Sequence, residues 1–352
     1  MISGLHIHTF RISACGGCHS YETRHIQKNN AYYEHVSYFR DFGVRSTHHL
    51  PSPLVKGTHR TRTANADRLV RHLFSLTPTP DKVYYQNKVI VLMYHEVTKT
   101  PPDPGALKLS NFTKQLDEMK ANGFHWITMK EYTDFILHKA KVPDNAVLMT
   151  FDDGYESFYT DTFPVLKKYR VPATNFLITS TISNPKHIGI KKLTWEQIQH
   201  MHAEGVDFYN HTNDQHAYGY TNVARSKEKP LLMDPVYSKK LGRMETEDEF
   251  KQRVYNDLDT ADKKLFKYLH NDRNVLAFPY GGYTKETLEI CRALGIDVTF
   301  TVKRGINSPG QTNGYRVNAG GIHNIPEVLV QYMKEGAPER PLPFAQGPNK
   351  AS

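Results

Sequence analysis

Cysteine is scarce in this sequence. Cys15, Cys18 and Cys291 are its full complement in 352 residues, and so few imply no disulfide framework. Cys15-Gly-Gly-Cys18-His19 has the C-x-x-C-H spacing of covalent haem attachment, but nothing nearby suggests a haem pocket. As a zinc site the pair supplies only half of the ligands needed. Long apolar runs are also missing. None approaches the ~20 residues of a membrane span. No signal peptide is visible in residues 1–30, because His6 and Arg11 interrupt the one weakly apolar stretch. There is no internal repeat and no nucleic-acid motif.

The charge that is present is unevenly placed. Of a net +9, residues 1–80 hold ten Lys/Arg against four Asp/Glu, a balance of +6. Nine of the nineteen histidines lie there too. With little hydrophobic periodicity, 1–80 reads as a poorly structured basic segment, either a solvated tail or a binder of anionic surfaces. A short helix is expected within it at Ala66–Phe74. The rest of the chain is only mildly basic, and nucleic acid is not expected as its partner.

From residue 88 the texture changes. Lys88–Tyr94 reads as a buried strand, and Ser110 opens a helix with Phe112, Leu116 and Met119 on one face. Trp126–Thr128, Val147–Phe151, Thr174–Ile178, Val206–Phe208, Val275–Phe278 and Val298–Val302 read as further strands. Helices are expected between them, two marked by the capping boxes Thr194–Gln197 and Thr246–Glu249. A last helix is expected at Ile325–Glu335. Residues 217–245 read as a long irregular insertion. The alternation implies a parallel α/β domain over 81–336, with 337–352 as a tail. A barrel fits, since the candidate site residues fall just after strands.

The most informative segment is Thr150-Phe151-Asp152-Asp153-Gly154-Tyr155, directly after the apolar run 146–149. Adjacent carboxylates at the end of a buried strand lose hydration and resist joint ionisation. A cation, or a proton held by one member, relieves both costs. Asp-Asp-Gly also occurs in plain turns. The loop His211-Thr212-Asn213-Asp214-Gln215-His216 offers two imidazoles. Five residues apart, they do not share a helix face, but in a loop after a strand both can reach one ion. One carboxylate and two imidazoles leave a cation a position for water, and a second carboxylate is then free to accept a proton. That is the chemistry of amide or ester hydrolysis.

These residues resemble the polysaccharide deacetylases, the family 4 carbohydrate esterases with a NodB homology domain. Thr150–Tyr155 matches the first motif of that family closely. The five-residue His211–His216 spacing, and Met93-Tyr94-His95-Glu96-Val97, are similar to the branch that de-N-acetylates poly-N-acetylglucosamine. Phe278-Pro279-Tyr280-Gly281 stands where a third motif is expected. The resemblance covers roughly 88–335. It implies a distorted (β/α)7-type barrel and a divalent metal, zinc first, with nickel, cobalt or iron as alternatives. It implies Asp153, His211 and His216 as metal ligands and Asp152 as general base. Tyr280 is implied as an oxyanion donor through its backbone N–H, with Pro279 beside it. His95 either lines the cleft or packs at a strand end. His323 is the candidate general acid, or else caps the following helix. The expected substrate is an N-acetylated polysaccharide, acted on by a monomer outside the cell or peripherally at its envelope. O-acetylated sugars, another amide, or sugar binding without catalysis are the alternatives. The arginine that orients the base in many members is not found before the third motif, where Val275, Leu276 and Ala277 stand, so its role is empty or filled from elsewhere. Trp195, Tyr209, Tyr218 and Tyr220 are candidates either for stacking on sugar rings or for packing.

Overall fold

The computed structural model describes residues 82–271, 274–321 and 324–338, with two strands nearer the N-terminus. Those strands, Thr23–Lys28 and Ala31–Val36, pair antiparallel within a separate compact unit. The remainder of 1–80 lies outside the described residues, and with it the helix expected at Ala66–Phe74 and the Cys15–Cys18 pair. His323 and positions 339–352 lie outside them too.

The second unit is built on a curled parallel sheet. The strands along its main path are β1 (Val89–Tyr94), β2 (Ala146–Asp152), β3 (Thr174–Leu177), β4 (Asp207–Asn210), β5 (Asn274–Ala277), β6 (Ile296–Phe300), β7 (Asn313–Gly314) and β8 (Val317–Asn318), and a ninth strand, His125–Ile127, pairs parallel with β2 off that path. Their order across the sheet is β7-β6-β5-β4-β3-β2-β1-β8, and every neighbouring pair is parallel. This is the distorted (β/α) barrel expected, with eight strands on the path rather than seven. The strand expected at Trp126–Thr128 is present as His125–Ile127 but lies off this path, and β7 and β8 are two-residue pieces too short to carry a periodic signal.

Both faces of the sheet are covered, so its strands are apolar without alternation. On β1, Ile90, Leu92 and Tyr94 pack with helix α1 (Leu109–Ala121). Val89 and Val91 join the cluster that includes Tyr132, Phe135 and Ile136 of α2 (Met129–His138). Helices α3 (Phe163–Tyr169) and α4 (Trp195–Ala203) follow β2 and β3. The 23-residue α5 (Glu247–Leu269) starts at the Thr246–Glu249 capping box, which is present as expected. Helices α6 (Lys285–Ala293) and α7 (Pro326–Lys334) complete the layer. None of the described helices is long and apolar enough to cross a membrane.

The stretch 217–245 is more ordered than its sequence suggests. It forms two small hairpins, Tyr218–Tyr220 with Glu228–Pro230 and Tyr237–Ser238 with Arg243–Met244. Strands of two or three residues are below the length at which alternation becomes legible.

Candidate metal centre

The strands end in the site. Asp152 is the last residue of β2, His95 follows β1, His211 follows β4, and Pro279 and Tyr280 follow β5. Sharp turns aim these side chains. Asp153, Thr212 and Tyr280 all hold left-handed backbone, at φ 76, 75 and 57. Each costs of order 1 kcal/mol or more for a residue with a Cβ, and such strain concentrates at functional sites. Gly154 continues the Asp153 turn at φ +65, and a Cβ there would stand 2.9 Å from Leu177 Cδ2.

Asp153, His211 and His216 converge, with ligand atoms all within 4.8 Å of one another. Asp153 Oδ1 lies 3.4 Å from His211 Nε2 and 3.3 Å from His216 Nε2. His211 is buried, and its Nδ1 donates to the Ala277 carbonyl at 2.7 Å. That bond fixes the ring and leaves Nε2 facing Asp153. Burial, reinforced by His211, pushes the His216 imidazole down to about 4, so it is neutral at neutral pH. Burial opposes ionisation of Asp153, but the surrounding imidazoles outweigh it and hold its carboxyl well below the ordinary range. Asp153 Oδ1 is nonetheless buried without a hydrogen bond. An anionic oxygen with no donor, facing imidazole nitrogens, fits a divalent cation.

The neighbouring carboxylate is held differently. Asp152 Oδ1 accepts from Arg316 Nη1 at 2.8 Å, and Arg316 Nε donates to the Thr301 carbonyl at 3.1 Å. Burial alone pushes Asp152 up. Arg316, with His211 and His95, more than offsets that and keeps it below the ordinary carboxylate range. His95 Nε2 stands 4.0 Å from Asp152 Oδ2 and is partly open to solvent. Arg316 matches the second alternative left by the sequence, a contact to the base supplied from elsewhere. The positions before Phe278 are apolar as expected, and the guanidinium arrives from between β7 and β8, 164 residues beyond Asp152. The only signal for it was one arginine in the polar stretch 309–316.

Helix α5 secures the histidine loop from behind. Asp257 accepts from the backbone N–H of Asn213 and of Asp214, both at 2.8 Å. Lys264 Nζ donates to Asn213 Oδ1 at 2.7 Å, and Arg253 Nη1 to Gln215 Oε1 at 2.6 Å. Asn210 donates to Asp262 at 2.8 Å while accepting from Thr212 N–H at 2.7 Å. The sequence marked the capping box that starts this helix but not these contacts.

Other candidates divide. Trp195 is buried and stacks on Tyr268 with centroids 4.1 Å apart, and Tyr209 is buried in the core, so both pack. The Tyr280 ring lies 4.6 Å from that of His216, and Tyr218 lies 4.6 Å beyond Tyr280. Tyr220 is half-buried and Pro279 buried.

Known proteins share this arrangement of chain. The polysaccharide deacetylase family model matches residues 139–299. A poly-β-1,6-N-acetyl-D-glucosamine N-deacetylase of Staphylococcus epidermidis is 28% identical over 262 residues, covering 70% of this chain and 80% of that protein. The structure of IcaB from Ammonifex degensii superposes with a TM-score of 0.59 at 27% identity, covering 70% of this chain and 97% of that one. The deacetylase domain of BpsB from Bordetella bronchiseptica gives 0.59 at 25% identity, covering 67% and 97%. A family model matched over residues 139–299, relatives named as N-deacetylases and a shared curled barrel agree: this chain carries a polysaccharide deacetylase domain and is an enzyme.

Proposed function

We propose that this enzyme removes N-acetyl groups from a poly-N-acetylglucosamine-type polysaccharide, with Asp153, His211 and His216 holding a divalent cation, zinc first among the candidates. The reading is carried by one observation: an undonated buried carboxylate oxygen between two imidazoles, beside a second carboxylate pinned to an arginine. The substrate class follows from the N-deacetylase relatives. By the same resemblance the polymer is met outside the cell or at its envelope.

A cation in that position supplies Lewis acidity, polarising the acetamide carbonyl and acidifying water. Asp152 accepts the proton of the attacking water. It is ready to do so because Arg316 keeps it ionised at neutral pH. The contact to Arg316 uses Oδ1, which leaves Oδ2 on the His95 side. As the C–N bond breaks, the amine nitrogen takes a proton and acetate departs. His323, the acid suggested by the sequence, lies outside the described residues. We assign proton delivery to His95, whose Nε2 faces the same carboxylate from the solvent side. Tyr280 N–H is proposed as a donor to the developing oxyanion.

Acetate release from N-acetylglucosamine oligomers tests the reading. Wild type should release acetate, Asp152→Asn and His211→Ala should lose about 10²-fold or more, and His95→Gln should fall by a similar factor. Equal release by all four proteins overturns it.

A further inference from the structure

Three rings run outward from the metal centre: His216, Tyr280 and Tyr218, each consecutive pair 4.6 Å apart at 49°. The outer two are far from buried, with 43% of Tyr280 and 51% of Tyr218 exposed. Tyr218 therefore presents an aromatic surface to solvent beside the site, whereas most other large rings among the described residues are in the core.

The backbone beneath Tyr218 is tightly held. Tyr218–Tyr220 pairs with Glu228–Pro230, and Leu231 N–H donates to the Ala217 carbonyl at 3.0 Å. Side chains alternate along a strand, so position 219 points opposite to 218. That position is glycine for lack of room: a Cβ would meet Val236 Cγ1 at 2.6 Å and Leu231 Cδ2 at 2.7 Å. Arg253 then ties the hairpin to α5, donating to the Leu231 carbonyl at 3.0 Å while Nε reaches Glu245 at 2.7 Å. A ring on a fixed backbone loses little conformational freedom when a ligand settles on it.

Resting on the deacetylase reading above, we propose that Tyr218 is a specificity-determining residue, stacking on a pyranose ring next to the one being deacetylated. Tyr280 and His216 stand between Tyr218 and the centre, so Tyr218 lies too far out for the reacting acetamide. A neighbouring unit of the same polymer is the occupant that reaches it. Pyranose rings carry an apolar C–H face that suits an aromatic platform, and the tyrosine hydroxyl stays in water. The residue thereby favours a polymer over a single sugar.

The test measures binding of a β-1,6-linked N-acetylglucosamine pentamer by titration calorimetry to zinc-loaded protein carrying Asp152→Asn. Adding Tyr218→Ala should weaken binding about tenfold, the order one lost aromatic face supports. Tyr218→Phe should stay within about twofold, because the ring is kept. Equal pentamer affinity with and without Tyr218→Ala overturns the proposal, as does absence of pentamer binding to the parent protein. Failure of the wild type to release acetate from any oligomer would strike the activity instead, and leaves this binding comparison able to decide the role of Tyr218.

Discussion

Arg316 places Nη1 2.8 Å from Oδ1 of Asp152, and both side chains are almost entirely buried. A buried carboxylate needs a permanent opposite charge if it is to remain an anion, and a guanidinium supplies one that cannot be deprotonated. The same guanidinium also donates to the Thr301 carbonyl, so its position is set by the residue just after β6 as well as by the carboxylate.

Removing that charge should strand Asp152. Arg316→Met is expected to destabilise the fold by about 3–5 kcal/mol, the cost of an uncompensated buried ion. Acetate release should fall with it. Urea unfolding followed by tryptophan fluorescence reads the first effect, and unchanged stability would contradict the burial of the pair. Arg316→Lys should recover part of the stability and less of the rate, because a lysine cannot span both acceptors with the same geometry.

Asp257 should matter to the metal without touching it. Asp257→Asn replaces one acceptor of the Asn213 and Asp214 N–H groups with a donor and frees the histidine loop. Zinc affinity should drop about 10–100-fold, the range for groups that orient metal ligands. Competition against a chromophoric chelator measures this, and an unaltered affinity would show the loop to be held by other contacts.

Stripping the cation should leave Asp153 Oδ1 facing only the His211 and His216 imidazoles. Chelation is expected to abolish acetate release and to lower Tm, and zinc should restore both. At a free zinc of 100 Kd the added stability is about 2.7 kcal/mol. Differential scanning fluorimetry of His216→Ala should show a much smaller zinc-dependent rise. An equal rise would place the ion elsewhere.

Asp262 gives a pH signature separate from catalysis. Burial pushes its carboxyl up from 3.8 to about 7, although it accepts from Asn210. The folded state thus binds its proton more tightly than the unfolded chain. Stability from this group is present below about pH 4, is lost as pH rises toward 7, and is level above that. Asp262→Asn keeps an acceptor for Asn210 and carries no charge. The variant should match wild type near pH 4 and exceed it at pH 8 by up to about 4 kcal/mol. Parallel urea midpoints across this range would refute the assignment.

Much of the site was legible in the sequence because its motifs are local. Asp152 and Asp153 sit at the end of an unbroken apolar strand, and His211 and His216 fit into one loop. Each can be recognised without knowing what lies opposite. Arg316 cannot, since its meaning depends on β8 lying beside β1. The same holds for Asp257, Asp262 and Lys264, which on sequence alone are the polar residues of an ordinary long helix. The aromatic candidates looked alike for a related reason. Trp195 and Tyr218 differ only in whether a neighbour such as Tyr268 covers them, and periodicity does not report that.

The place of Arg316 in the chain has a consequence for synthesis. The carboxylates and both histidines leave the ribosome long before β7 and β8 do. A nascent chain that has reached β6 holds every proposed cation ligand, yet lacks the partner that keeps Asp152 charged. The proposed proton acceptor therefore gains its counter-charge only when the last strands of the sheet have been made.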